Sequence, residues 1–210
     1  MNVAQLLRPR AAGLLLSSVF LGLGLPLSAQ CQLAWQSGAG ASGVAGASWS
    51  LASMANGDIA ICGEFLLAGD VLANNVVRYD GSNFHALGDG VTGTVFASAV
   101  LPNGDLIVGG QFGSAGGSTA NNVARWDGVT WSPMSTGTNG RVLSLAALPN
   151  GDVVAAGLFG FAGGVPCNQL ARWDGSSWSP LGTHSFSSVR TIEVAANGDL
   201  LAGGPSAVSR

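Results

Sequence analysis

A strict spacing of 47 residues runs through this chain. The tripeptide Asn-Gly-Asp recurs at Asn56, Asn103, Asn150 and Asn197. An aromatic-Asp-Gly tripeptide recurs at Tyr79, Trp126 and Trp173. Each is preceded by an arginine (Arg78, Arg125, Arg172) and followed five residues later by a second aromatic (Phe84, Trp131, Trp178). Gly63, Gly110, Gly157 and Gly204 form another column, and Phe65, Phe112 and Phe159 a further one. Such a chain is an array of one supersecondary unit. Each unit must bury its apolar faces against its neighbours.

One unit shows the pattern. An apolar run, VFASAVL, leads into Pro102-Asn103-Gly104 and Asp105, then into a second run, LIVGGQF. A small-residue stretch from Gly113 to Thr119 follows, then NNVARW, then Asp127-Gly128 and TWSPM. The Asn-Gly pair predicts a two-residue hairpin with both central residues at positive φ. Asp127-Gly128 predicts a second tight turn. No stretch carries sustained helical spacing with caps. The expectation is an all-β fold: a β-propeller built from four-stranded antiparallel blades with a 47-residue repeat. The doubled glycines Gly109-Gly110 and Gly203-Gly204 are expected near the axis, where no Cβ fits, and the paired aromatics at the wide outer part of each blade.

Three units are full, and a fourth begins near Thr191. Residues Leu33 to Gln36, with Trp35, read as the last strand of a preceding unit. The propeller is therefore expected to be incomplete, either open or truncated; a closed four-bladed ring with a split fourth blade is the alternative. An open arc would expose apolar faces and invite self-association. The expected organisation is a signal peptide at 1–29, a leading strand and Gly/Ala-rich linker at 30–47, and the propeller repeats, three full units and a partial fourth, at 48–210.

The signal reading rests on Arg8 and Arg10, the apolar stretch from Ala11 to Leu25, Pro26 and the small Ala29. Cleavage is expected after Ala29. The apolar stretch is shorter than the ~20 residues of a spanning helix and is interrupted by glycines, which disfavours an uncleaved anchor. A secreted, periplasmic or cell-surface location follows. Beyond Ala29 the chain has six arginines, no lysine and eleven acids, so neither nucleic acid nor an anionic membrane is an expected partner. Cys31, Cys62 and Cys167 allow one disulfide at most, and Cys62 reads as a small buried apolar residue.

The glycine doublet Gly109-Gly110, followed by Trp126-Asp127 and Trp131, resembles the kelch motif. The resemblance spans about Ser48 to Gly204. The pattern GGxF…ANNxARWDGxxW is similar to Gly-rich secreted bacterial repeats in propellers related to galactose oxidase and to the fungal cortical marker of cell polarity. The resemblance implies a propeller and no particular activity. The two aromatics stand closer together than in most kelch units. A galactose-oxidase-type copper site needs tyrosines and histidines, whereas this chain has one tyrosine, Tyr79, and places His85 and His184 in different columns. Residues Asp127 to Trp131 are similar to an Asp-box, one residue short and without its leading serine.

Asp58, Asp105, Asp152 and Asp199 repeat with the hairpin. Weak calcium binding would need six to eight oxygens at each, so acceptance of nearby backbone amides is the expected role. Arg78, Arg125 and Arg172 are expected to bridge to Asp80, Asp127 and Asp174 or to stack on a ring rather than to ring a carboxylate ligand. A binding site usually breaks a repeat that a scaffold contact obeys. Glu64, Asp70, Asp89, Arg141, His184 and Glu193 stand alone in their columns. The first five are the candidate binding surface, together with the loops Gly113–Thr119 and Phe161–Pro166. No acid pair, nucleophile elbow or phosphate loop is present, so no catalytic, cofactor-binding or metal residue is assigned and no cofactor is expected.

The expected function is a secreted, non-catalytic binding or scaffold module for a glycan or an extracellular protein. The alternatives are a glycan-active hydrolase or lyase, in which Glu64 would pair with Asp70 or Asp89, and a fragment of a larger propeller.

Overall fold

The computed structural model describes residues 43–182, 187–195 and 197–205. All regular elements among them are β-strands. The first blade comprises β1 (Val44–Ser53), β2 (Ile59–Ala68), β3 (Val71–Leu72), β4 (Val76–Tyr79) and β5 (Phe84–Ala86). The second comprises β6 (Val91–Val100), β7 (Leu106–Ala115), β8 (Ser118–Thr119), β9 (Val123–Trp126) and β10 (Trp131–Pro133). The third comprises β11 (Arg141–Ala147), β12 (Val153–Leu158), β13 (Phe161–Ala162), β14 (Val165–Pro166), β15 (Leu170–Trp173) and β16 (Trp178–Pro180). A two-stranded sheet of β17 (Thr191–Val194) and β18 (Leu200–Gly203) follows. The strand orders β1-β2-β4-β5, β6-β7-β9-β10 and β11-β12-β15-β16 are antiparallel meanders. The fold is the expected all-β propeller type. Its described blades form an arc with β1, β6, β11 and β17 packed in succession, and the arc is not closed. Strand β1 starts at Val44, inside the stretch read as linker; residues 1–42, with the signal peptide, Cys31 and Trp35, lie outside the described residues.

The blades stack because each seam buries small apolar side chains from two sheets. Ala60, Cys62 and Val76 of the first blade meet Val95, Leu106 and Val108 of the second. Ile107 and Val123 of the second meet Val153 and Ala155 of the third. A fully buried valine contributes roughly 1.5–3 kcal/mol. Cys62 is buried as expected, and burial, partly offset by a hydrogen bond with Ser98, pushes its thiol up to about 12. Cys167 is also buried, in the second seam.

Turn chemistry departs from the sequence reading. The Asn-Gly hairpins are three-residue loops: Met54 N donates to Asp58 O at 2.8 Å and Gly57 N to Met54 O at 3.0 Å. Of the Asn-Gly pairs only the glycines, Gly57, Gly104, Gly151 and Gly198, take positive φ, which suits a type I turn with a glycine bulge. Two-residue turns with both residues at positive φ occur at Gly116-Gly117 and Gly163-Gly164, the tips of stretches read as loops. The turn after Tyr79, Trp126 and Trp173 spans four residues. The rings of each aromatic pair lie 5.0–5.3 Å apart on the two outer strands.

The glycine column sits one strand out from the inner edge. Each inner strand carries a bulge, with Trp49, Phe96 and Leu143 as the extra residues. A Cβ on Gly63, Gly110, Gly157 or Gly204 would lie 1.9, 2.1, 2.0 or 2.2 Å from the carbonyl oxygen of Ala47, Thr94, Arg141 or Ser188. Gly109 faces the next blade, where a Cβ would meet Val142 at 2.5 Å. The crowding is real, but it comes from a carbonyl of the adjoining inner chain and from the neighbouring blade. Gly110→Ala is expected to cost at least ~2 kcal/mol in urea unfolding, because backbone must move. Gly113→Ala, with nothing within 4 Å of the new methyl, is expected to stay within about 1 kcal/mol of the parent.

Candidate functional site: the loop end of the blades

Strand register divides each blade into two ends. The Asn-Gly-Asp hairpins and the Asp-Gly turns share one end. The short hairpins β2–β3, β7–β8 and β13–β14 share the other with the connectors that lead into β6 and β11.

The hairpin end repeats the same contacts in each blade. Asn56 Nδ2 donates to Asp58 Oδ2 at 2.7 Å, and Asp58 N donates to Asn56 Oδ1 at 3.2 Å. Arg78 pairs with the same Asp58 carboxylate. Arg125 Nε donates to Asp105 Oδ2, and Arg172 Nε to Asp152 Oδ2, each at 2.6 Å. The arginine column therefore bridges to the hairpin aspartates, not to Asp80, Asp127 and Asp174. Register is the reason: Ala60 pairs with Arg78 across β2 and β4, beside the hairpin. The hairpin aspartates serve side-chain donors where backbone amides were expected.

Asp80, Asp127 and Asp174 instead cap their own turns. Asp127 Oδ1 accepts from Thr130 N at 2.7 Å and Val129 N at 2.8 Å. Those amides hold its carboxyl below the usual carboxylate range. Asp174 is lowered by the amides of Ser177 and Ser176 and by their hydroxyls. Asp80 is lowered first by His85, whose Nε2 lies 2.7 Å from Oδ2, then by the amides of Asn83 and Ser82. A carboxyl lowered in the folded state stabilises above its unfolded value of about 3.9 and loses that contribution as pH falls through the folded value. Thermal melts below about pH 4 should therefore fall less steeply for the Asp127→Asn, Asp174→Asn double variant than for the parent.

The loop end is where the repeat breaks. Glu64 is exposed on β2, not in a loop; Asp70 is in the β2–β3 turn, Asp89 in the connector to β6, and Arg141 at the start of β11. All four lie at this end. His184 lies outside the described residues. Glu193 is exposed on β17. Glu64 lines a crevice of about 570 Å³ between the first two blades with Ala45, Phe65 and Thr94; neither Asp70 nor Asp89 lines it. The acid pair considered for hydrolysis is thus not brought into one crevice. Arg141 and Arg190, both exposed, have no ion pair among the described residues, whereas Arg78, Arg125 and Arg172 are all paired.

Sequence reasoning missed what pins the seams at this end. Asn75 and Asn122 adopt φ of 65° and 64°. Asn75 Oδ1 accepts from Phe65 N at 2.8 Å, while its Nδ2 donates to Val91 O at 2.7 Å in the next blade. Asn122 makes the matching bonds with Phe112 N and Thr138 O. The indole nitrogens of Trp131 and Trp178 donate back to Leu87 O and Met134 O at 2.7 and 2.9 Å. The available signal was the asparagine pair recurring at Asn74-Asn75 and Asn121-Asn122.

These pins frame a second crevice, of about 410 Å³, in the seam between the second and third blades. Asn121, Thr136, Asn139, Phe161 and Gly164 are among its walls. The connector Met134–Asn139 enters it through Ser135, which holds φ of 56° where Gly88 and Gly182 stand in the neighbouring connectors. A non-glycine residue in that region is strained. Ser135→Gly should raise the urea midpoint, with a gain of ~0.5 kcal/mol.

Blades of this geometry define a β-propeller-type protein. A family model described as "Domain of unknown function (DUF5122) beta-propeller" matches residues 101–126, which run from the second blade's hairpin through β9. No curated protein matches the chain. Among the described residues, no group of three or more His, Cys, Asp or Glu could hold a metal ion, and no helix is long and apolar enough to cross a membrane.

Proposed function

We propose that this protein is a secreted, non-catalytic binding module that recognises its ligand, a glycan or an extracellular protein, at the loop end of its blades. The observation that carries this reading is the segregation of side chains between the two ends. The hairpin end ties its arginines into the same Asn–Asp–Arg contacts in three blades, and its other aspartates cap their own turns. The loop end varies from blade to blade, and its free charges, Glu64, Asp70, Asp89 and Arg141, have no part in the scaffold's ion pairs. Ligand sites on rigid β scaffolds are commonly built from such variable connections. Export is the remaining part of the reading and rests on the basic, then apolar, start of the chain. The kelch-type resemblance of the repeat fits a module of this kind.

Purified full-length protein tested on a glycan array and in pull-down from an extracellular fraction should retain a ligand. The double variant Asp89→Ala, Arg141→Ala is expected to weaken retention several-fold, and Val129→Ala at the opposite end to leave it unchanged. Equal loss from both ends, or retention by neither method, would sink the reading.

A further inference from the structure

We infer that the crevice between the second and third blades binds a neutral carbohydrate. This inference rests on the binding-module reading and names the ligand class for one seam of it. Asn121 Nδ2 is used, donating to Thr136 O at 3.0 Å, so its Oδ1 remains as an acceptor. Asn139 Oδ1 is used twice, accepting from Gly160 N and Phe161 N at 2.9 Å each, so its Nδ2 remains as a donor. The Thr136 hydroxyl has no partner among the described residues and can do either. All three residues are exposed.

Beside these groups stands Phe161, 46% exposed on β13 at the base of the third blade's short hairpin. The asparagine that presents the free donor also holds the backbone of this phenylalanine, so ring and donor are fixed to each other. A bound charge would find no counter-charge, because no ionisable side chain lines the crevice. A wholly apolar ligand would leave the amide groups without partners. A sugar has hydroxyls at its edge for the three polar groups and a C–H face for the ring. The volume lies within the range of roughly 300–1,000 Å³ of small-molecule sites.

The repeat itself supplies a comparison. In the first seam the positions of Thr136, Asn139 and Phe161 are taken by Asp89, Thr92 and Ser114. That seam has a carboxylate and no ring there, so the constellation is built once among the described blades.

Affinity electrophoresis of the full-length protein tests this, using native gels that contain a β-glucan, a xylan, a galactomannan or, as a charged control, a polyuronate. Retardation by at least one neutral polysaccharide is expected. Phe161→Ala should weaken it about tenfold. Asn139→Asp should do the same, because it keeps an oxygen to hold the hairpin and replaces the donor by a charged acceptor; each variant is compared with its own mobility in a gel without polysaccharide. Thr92→Ala and Val129→Ala should migrate as the parent, and matched melting curves check that the variants fold. No retardation in any neutral gel, retardation by the polyuronate alone, or unchanged retardation of both crevice variants would overturn the inference. A protein ligand retained through the loop end without neutral glycan binding also overturns it, and leaves the module reading standing. Absence of any ligand removes both.

Discussion

Burial of one sheet's face by the next is the constraint on which this molecule depends. A four-stranded sheet of this size has two apolar faces and cannot cover either alone. Ala60, Cys62 and Val76 are fully buried only because Leu106 and Val108 of the following blade lie against them. The side chains in the seams are mostly alanine and valine, which brings the sheets close. That closeness accounts for Gly109, where even a methyl group would run into Val142.

The polar groups of the seam fix what apolar burial leaves undetermined. Apolar faces attract without direction, so they do not set how far one blade slides along the next. The carboxamides of Asn75 and Asn122 do, by holding their own blade with the oxygen and the next blade with the nitrogen. The tryptophan indoles reach in the opposite sense, from the outer strand of one blade back to the connector before it. The bulged inner strands belong to the same geometry. Each admits one extra residue, and the carbonyl two residues before it lies against a glycine on the second strand.

With the scaffold held in this way, the two ends have different freedoms. At the hairpin end an aspartate serves both its loop asparagine and the arginine of the third strand, so each of these residues is constrained by the others. At the loop end backbone bonds add to the asparagine pins: Val91 N with Asn74 O, and Thr138 N with Asn121 O. Apart from Asn75, Asn122 and the two tryptophans, side chains there can change without loss of the seam. This is why Thr136 and Asp89 can occupy equivalent places, and why neighbouring crevices differ in chemistry.

The repeat alone pointed to all-β blades, to their four-strand order and to the pairing of the aromatics, because equal spacing places equal residues in equal environments. It also pointed to Glu64, Asp70, Asp89 and Arg141, which the fold brings to one end, and to the Phe161–Pro166 hairpin. What it did not contain was the partner of each repeated residue. Arg78 could reach Asp80 or Asp58, and only the register of β4 on β2 decides for Asp58. Asn-Gly is compatible with two hairpin loops, and the three-residue form is selected by how the two strands meet. The crevice was illegible for the same reason: Asn121, Asn139 and Phe161 belong to different blades or connectors, and proximity across a seam has no signature in a single repeat. Columns are written in sequence, whereas contacts between columns exist only once the sheets have stacked.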